Sequence, residues 1–173
     1  MTAQEIKRIF NLIPLEKEGG FYQKTYKSAK ILPRGVVDGE TTERTACGAI
    51  YFLMEASSNN RLHRNKSDEI YNFYLGDTLL FTMLHPDGRA ETVRLGTDYA
   101  NGEVSQLVVP GGSWQGSRLA PGGSFAFMGT MMAPEYDDED YIDIEDLPNG
   151  ADTLKEQYPD FADEIERLSF KAF

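Results

Sequence analysis

One imidazole, one carboxamide and one carboxylate stand close together in Leu62-His63-Arg64-Asn65-Lys66-Ser67-Asp68-Glu69, a run closed by Gly76. Asn65 follows His63 by two residues and Glu69 follows it by six. In an extended strand alternate side chains share a face, so Arg61, His63 and Asn65 point together while Leu62, Arg64 and Lys66 point away. A short turn over 66–68 starts the next strand at Glu69, with Tyr71 and Phe73 continuing that face. Such a polar spot on an apolar wall is where small molecules bind. His63 and Glu69 are the candidate catalytic pair: the imidazole is a base, and an ionised carboxylate beside it sets its tautomer and raises its pKa. A second frame, Pro110-Gly111-Gly112-Ser113-Trp114-Gln115, supplies another amide in Gln115.

Other groups near this spot extend the candidate site. Arg61, Arg64, Lys66 and Lys24 are candidate anion binders. Arg64 and Lys66 lie off the inward face and read as salt-bridge partners of Asp68 and the acidic tail, whereas Arg61 stands between the two roles. The binding set is then Asn65, Gln115 and Arg61, with Tyr71, Phe73, Lys24 and Tyr22. Tyr22, Tyr26, Tyr51 or Tyr71 can supply a phenolic acid. Trp114 faces away from Gln115 and is expected to pack or to meet another subunit. The other histidine, His85, precedes Pro86-Asp87-Gly88 in a hairpin turn and reads as structural or solvated.

The elements that must hold these residues are mostly β. Ile6, Ile9, Phe10 and Ile13 recur at helical spacing over 2–13, with Thr2 as N-cap and Pro14 as stop. From about residue 20 to 133, short runs of β-branched and aromatic residues alternate with Gly, Pro and Asn-Gly turns. The expected strands are 21–28, 46–55, 61–65, 69–75, 78–85, 90–95, 105–109, 114–119 and 124–132. Turns this regular predict a sandwich or barrel, of which the double-sheet jelly roll is one solution. After Pro134 the chain turns acidic, without the spacing or glycine of an EF-hand, and reads as a solvated face with short helical turns. Helices are expected over 152–158 and 160–170, with Tyr158, Phe161, Ile165 and Leu168 packing the tail onto the barrel. The expectation is one domain over 1–173, its core at 20–133 and an acidic helical tail at 134–173.

Composition narrows the function classes. Hydrophobic residues make up 40%, aromatics 12%, and the net charge is −11. That charge argues against nucleic acid, which needs clustered Lys and Arg. No apolar run of about 18 residues and no signal-peptide pattern are present, so a cytoplasmic location without membrane contact is expected. Cys47, the only cysteine, sits among small residues and reads as a buried inert thiol.

Six segments in order resemble one family. They are Glu18-Gly19-Gly20-Phe21-Tyr22 with Thr25-Tyr26, Ala49-Ile50-Tyr51-Phe52-Leu53, His63 to Glu69, Phe73-Tyr74 with Gly76-Asp77, Val108-Val109-Pro110 with Trp114-Gln115, and Ala133-Pro134. Together they resemble the RmlC-like cupins, and among them a group long known as a domain of unknown function. The resemblance implies a mostly β fold, a double-stranded β-helix or jelly-roll cupin barrel, with an N-terminal helix and short C-terminal helices. It places His63 and Glu69 at metal-ligand positions, with Asn65 and Gln115 where histidines stand in metal-dependent cupins. One imidazole, one carboxylate and two amides make a poor transition-metal set. No cofactor is therefore expected, a divalent metal being disfavoured and His63, Glu69 and Gln115 its weak candidates. The expected function is a metal-independent isomerase or epimerase acting on a sugar-like, nucleotide-linked or anionic small molecule. The alternatives are a non-catalytic binding or sensor protein and a metal-dependent oxygenase or isomerase. A homodimer that protects sheet edges is the expected assembly.

Overall fold

The computed structural model describes residues 1–35 and 42–170. Helix α1 (Ala3–Phe10) begins where Thr2 Oγ1 accepts from the Glu5 amide and Glu5 accepts from the Thr2 amide, a reciprocal capping box. It ends earlier than its apolar spacing predicts. Asn11 turns left-handed (φ 52°), so Ile13 leaves the helical face and Ile13–Pro14 pairs as strand β1. Pro14 is tolerated there because an edge strand does not need its missing donor.

Strands β2 (Phe21–Lys27), β5 (Gly48–Glu55), β6 (Asn60–Arg64), β7 (Asp68–Gly76) and β8 (Leu79–Leu84) follow in order. Strands β9 (Ala90–Leu95), β10 (Gln106–Val109), β11 (Trp114–Leu119) and β12 (Phe125–Ala133) complete the nine expected runs, with ends moved by one or two residues. Three short additions were not expected beyond β1: β3 (Ile31–Leu32), β4 (Arg44–Thr45) and β13 (Ile142–Asp143). One antiparallel sheet has the order β1-β2-β5-β12-β7-β10 and faces a second with the order β13-β6-β11-β8-β9. This is the cupin jelly roll.

Strand alternation sorts side chains into three apolar clusters. Phe52, Met54, Phe73, Phe81 and Met128 fill the space between the sheets. Leu53 and Phe127 point out of the first sheet and are covered by Ile6 and Phe10 of α1, whose ring lies 4.9 Å from Phe127. Leu62, Leu84 and Trp114 point out of the second sheet and are covered by α2 (Ala151–Gln157) and α3 (Ala162–Leu168) through Leu154, Tyr158, Ile165 and Leu168. Trp114 thus packs against the tail, with the Arg64 guanidinium 5.3 Å over its ring. At the β7 end, Gly76 has φ 112°, and a Cβ there would lie 2.4 Å from the Phe125 carbonyl oxygen.

Two expectations are corrected. The acidic stretch after Pro134 is not a solvated face throughout: Asp140 and Asp143 are buried, and β13 joins the second sheet beside β6. Burial is tolerated because Asp140 meets Arg44 Nη1 at 2.7 Å and Lys66 Nζ at 3.1 Å. Cys47 is half-buried rather than buried, lying just outside β5. No helix among the described residues is long and apolar enough to cross a membrane.

Candidate functional site

The β6 strand sets the site's inner wall. His63 stands opposite Gln115 of β11 on one side and Asp143 of β13 on the other. The His63 ring is fully buried, and its Nδ1 lies 2.8 Å from the Arg61 carbonyl oxygen. A carbonyl only accepts, so Nδ1 carries a proton. Nε2 faces Glu18 Oε2 at 3.8 Å, and the Tyr141 ring stacks on the imidazole at 5.2 Å.

Glu18 is held there by a tight turn. Its carbonyl accepts from the Arg61 amide at 2.8 Å, and the Gly19 amide donates to Leu15. Gly19 has φ 98°, and a Cβ would lie 2.2 Å from the Asn59 carbonyl oxygen, so only glycine lets this turn close on β6. Burial raises the Glu18 carboxyl above its ordinary value; His63 opposes that shift and Glu69 adds to it.

Glu69, the second residue of β7, is fixed from two sides. Gln115 Nε2 donates to its Oε2 at 2.8 Å, and the Tyr71 phenol bonds the same carboxylate. The Tyr71 hydroxyl is pushed well above its ordinary pKa by burial and then by the charges of Glu69 and Glu18. The two frames seen in the sequence lock together through the backbone. Gly111 N donates to Asp68 Oδ1 and Gly112 N donates to the Asn65 carbonyl, each at 2.8 Å.

Beside this group opens a cavity of about 490 Å³ between the end of the barrel and the 14–18 turn. Of the residues singled out from sequence, Asn65, Glu69, Tyr22, Tyr26 and Lys24 stand on its wall. His63 and Gln115 lie directly behind, reaching the wall through Glu18 and Glu69. Tyr71 and Phe73 belong to the apolar cluster between the sheets, and Tyr71 bonds Glu69 on the wall. Arg61 points inward as alternation requires, but Asp143 and Glu145 hold its guanidinium, the latter at 2.6 Å. Lys66 is taken by Asp140 and Arg64 by Trp114. His85 lies elsewhere, its Nε2 2.9 Å from Glu91 and its Nδ1 3.2 Å from Ser113, and pins the β8–β9 hairpin.

Sequence reasoning missed Glu18, Glu135, Tyr136 and Tyr141. Glu18 opens the Glu-Gly-Gly segment, and that pair of glycines was the one local sign of a carboxylate held at a forced turn. The other three come from the acidic stretch, whose composition gave no sign that it folds back over the barrel mouth.

The fold family raises the question of a metal at His63, Asn65, Glu69 and Gln115. Gln115 aims its N–H at Glu69, and His63 Nε2 faces Glu18. Among the described residues no group of three His, Cys, Asp or Glu side chains is placed to hold a metal ion. Two amides beside one imidazole and one carboxylate are a weak donor set for a transition metal.

The family model described as "Cupin superfamily (DUF985)" matches residues 4–142. An uncharacterised protein of Saccharomyces cerevisiae is 30% identical over 164 residues, covering 89% of this chain and 79% of its own length. A hypothetical protein from Leishmania major superposes with TM-score 0.83 at 26% identity, covering 98% of this chain and 99% of its own. A Shewanella oneidensis protein gives 0.81 at 27% identity, with 98% of each chain covered. Oxalate decarboxylase of Bacillus subtilis shares the fold at 14% identity and TM-score 0.54, this chain spanning 36% of it. By the reach of the family match and by its fold, this chain belongs to the DUF985 family of the cupin superfamily.

Proposed function

We propose that the cavity binds a sugar-like small molecule and moves a proton on it without a metal, as an isomerase or epimerase does. One observation carries this reading: two carboxylates, Glu18 and Glu69, share a cavity wall in unlike surroundings. Burial raises the Glu18 carboxyl, which suits it to be the acid. Glu69, already accepting from Gln115 and Tyr71, is the base. Pairs of acids whose surroundings differ in this way divide the two roles. Glu69 takes the proton from a carbon beside a carbonyl, and Glu18 donates to the oxygen that gains the electron pair. Glu69 then returns its proton to carbon while Glu18 takes one back from the enol oxygen, which restores both groups. His63 is a positioning residue behind Glu18, its Nε2 3.8 Å from the Glu18 carboxyl.

Solvent-deuterium incorporation, followed by proton NMR on a panel of free sugars and nucleotide sugars, tests the proposal. Expected is exchange at a carbon beside the carbonyl, lost in Glu69→Gln and lowered in His63→Ala. Exchange unaffected by Glu69→Gln would sink it. A second reading, a binding or sensor protein, draws on the withdrawal of His63 from the wall. Ligand-raised melting temperatures without exchange on any bound ligand support that reading. Stoichiometric Fe, Mn, Ni or Zn in protein purified without chelators would overturn both in favour of a metal-dependent cupin.

A further inference from the structure

We propose that this cavity selects a protonated amine carried on a hydroxylated skeleton, as in an amino sugar, over a phosphorylated or nucleotide-linked molecule. The proposal rests on the reading that the cavity holds a small molecule, and adds the sign of its charge. Its wall carries five carboxylates (Glu16, Glu18, Glu69, Glu135 and Asp138) against two lysines. Those lysines are already engaged, Lys17 by Asp138 and Lys24 by Glu135 at 3.9 Å. Lys27 also approaches Glu135, at 3.3 Å, so the uncompensated charge sits deeper, on Glu69 beside the raised carboxyl of Glu18. Arg61 and Lys66, the cations nearest in sequence, are held by the acidic stretch.

An independent observation points the same way. Asn65 is 4% exposed and stands on the wall, yet its Oδ1 has no hydrogen-bond partner. Gln115 Oε1, buried behind it, is likewise unpartnered. Both are amide acceptors. Buried acceptors without donors are costly and call for a ligand that donates. An ammonium brings three N–H groups and hydroxyls bring more, whereas a phosphate brings acceptors and negative charge into a wall of both. Tyr22, Tyr26 and Tyr136 add ring faces at the wall, surfaces on which a cation is stabilised. The crowding of Glu18 by Glu69, which helps to keep Glu18 protonated, is the kind of stress a bound cation relieves.

Calorimetric titration of the full chain with glucosamine, glucose and glucose 6-phosphate near neutral pH tests this. Glucosamine is expected to bind at least about tenfold more tightly than glucose, a difference on the scale of one partly buried charge pair, with glucose 6-phosphate weakest. Glu69→Gln should remove most of that preference. Lys24→Gln, an exposed change that leaves the fold intact, should strengthen glucosamine binding. The proposal is overturned if glucose 6-phosphate binds as tightly as glucosamine, if none of the three binds, or if Lys24→Gln weakens the amine. Stabilisation by calcium alone, without any by glucosamine, also overturns it. Glucosamine binding without deuterium exchange keeps this inference and removes the acid–base reading. Exchange into glucose 6-phosphate keeps the acid–base reading and removes this inference.

Discussion

The interior of the barrel has a filled half and an open half, built on the same strands. Along β7 the inward residues run Glu69, Tyr71, Phe73; along β12 they run Met132, Thr130, Met128, Ala126. Along β11 they run Gln115, Ser117, Leu119. Phe73, Met128 and Leu119 belong to the apolar cluster, while Glu69, Thr130 and Met132 line the cavity. A step of two to four residues along one strand face therefore separates packing from chemistry. The scaffold is the same in both halves, and the residues at the strand ends decide which half can hold a ligand.

The sharpest way to break this division is to empty the filled half. Phe81, fully buried with its ring 4.6 Å from Tyr71, should lose about 3–5 kcal/mol of stability on change to Ala. Asn65→Ala, on the cavity wall, should cost less than about 1.5 kcal/mol, because it removes an unpartnered acceptor without opening an apolar void. Urea unfolding measures both. Equal losses would mean that the two halves are a single packed core.

Arg61 ranks next, and it separates a clamp from an anion receptor. Its guanidinium is about 8% exposed and lies between Asp143 and Glu145. Arg61→Ala leaves Asp143 buried without its partner and should destabilise by about 3 kcal/mol. Were Arg61 an anion receptor instead, the same change would lower affinity for anions and leave the unfolding midpoint in place.

These two regions were not equally legible in the sequence. The period of two was enough to turn His63 inward and Leu62 and Trp114 outward, because a strand fixes side-chain direction whatever surrounds it. It placed Glu69 for the same reason. It could not show that Arg61 is taken by residues 82 positions later, nor that Glu18 comes to face His63. Both depend on chain segments crossing the mouth of the barrel, and no local pattern encodes such crossings. Composition misled over 134–146, where acidic side chains look solvated until the basic residues they neutralise are located. The end of α1 was lost for a similar reason: helical spacing continued to Ile13, but Asn11 had already turned the backbone.

Glu18 gives a smaller effect whose sign is informative. A carboxyl held above its ordinary value of 4.5 stays protonated in the folded chain while the unfolded chain ionises. Its contribution is whole below the unfolded value and is lost as pH rises from there through the raised folded value. Glu18→Gln keeps the neutral form at every pH. The variant should match the natural protein in acid and exceed it as pH rises towards neutral. Parallel stability–pH curves for the two proteins would show that Glu18 is not held protonated.

The smallest expected effect tests how the acidic stretch supports the open half. Tyr141 stacks on His63 and donates its hydroxyl to Asp143 at 3.3 Å. Burial raises its phenol first, followed by the charges of Glu18 and Asp143, so the ring stays neutral and serves as a flat apolar wall. Tyr141→Phe removes only a long hydrogen bond and should cost about 0.5 kcal/mol. Tyr141→Leu removes the stacked face and frees the imidazole to turn away from the Arg61 carbonyl. The His63 nitrogen shifts in NMR should then move toward mixed tautomers, while those of His85, pinned by Glu91 and Ser113, stay fixed. If both histidines keep their shifts in Tyr141→Leu, the Arg61 carbonyl alone orients His63, and the acidic stretch contributes charge neutralisation without positioning.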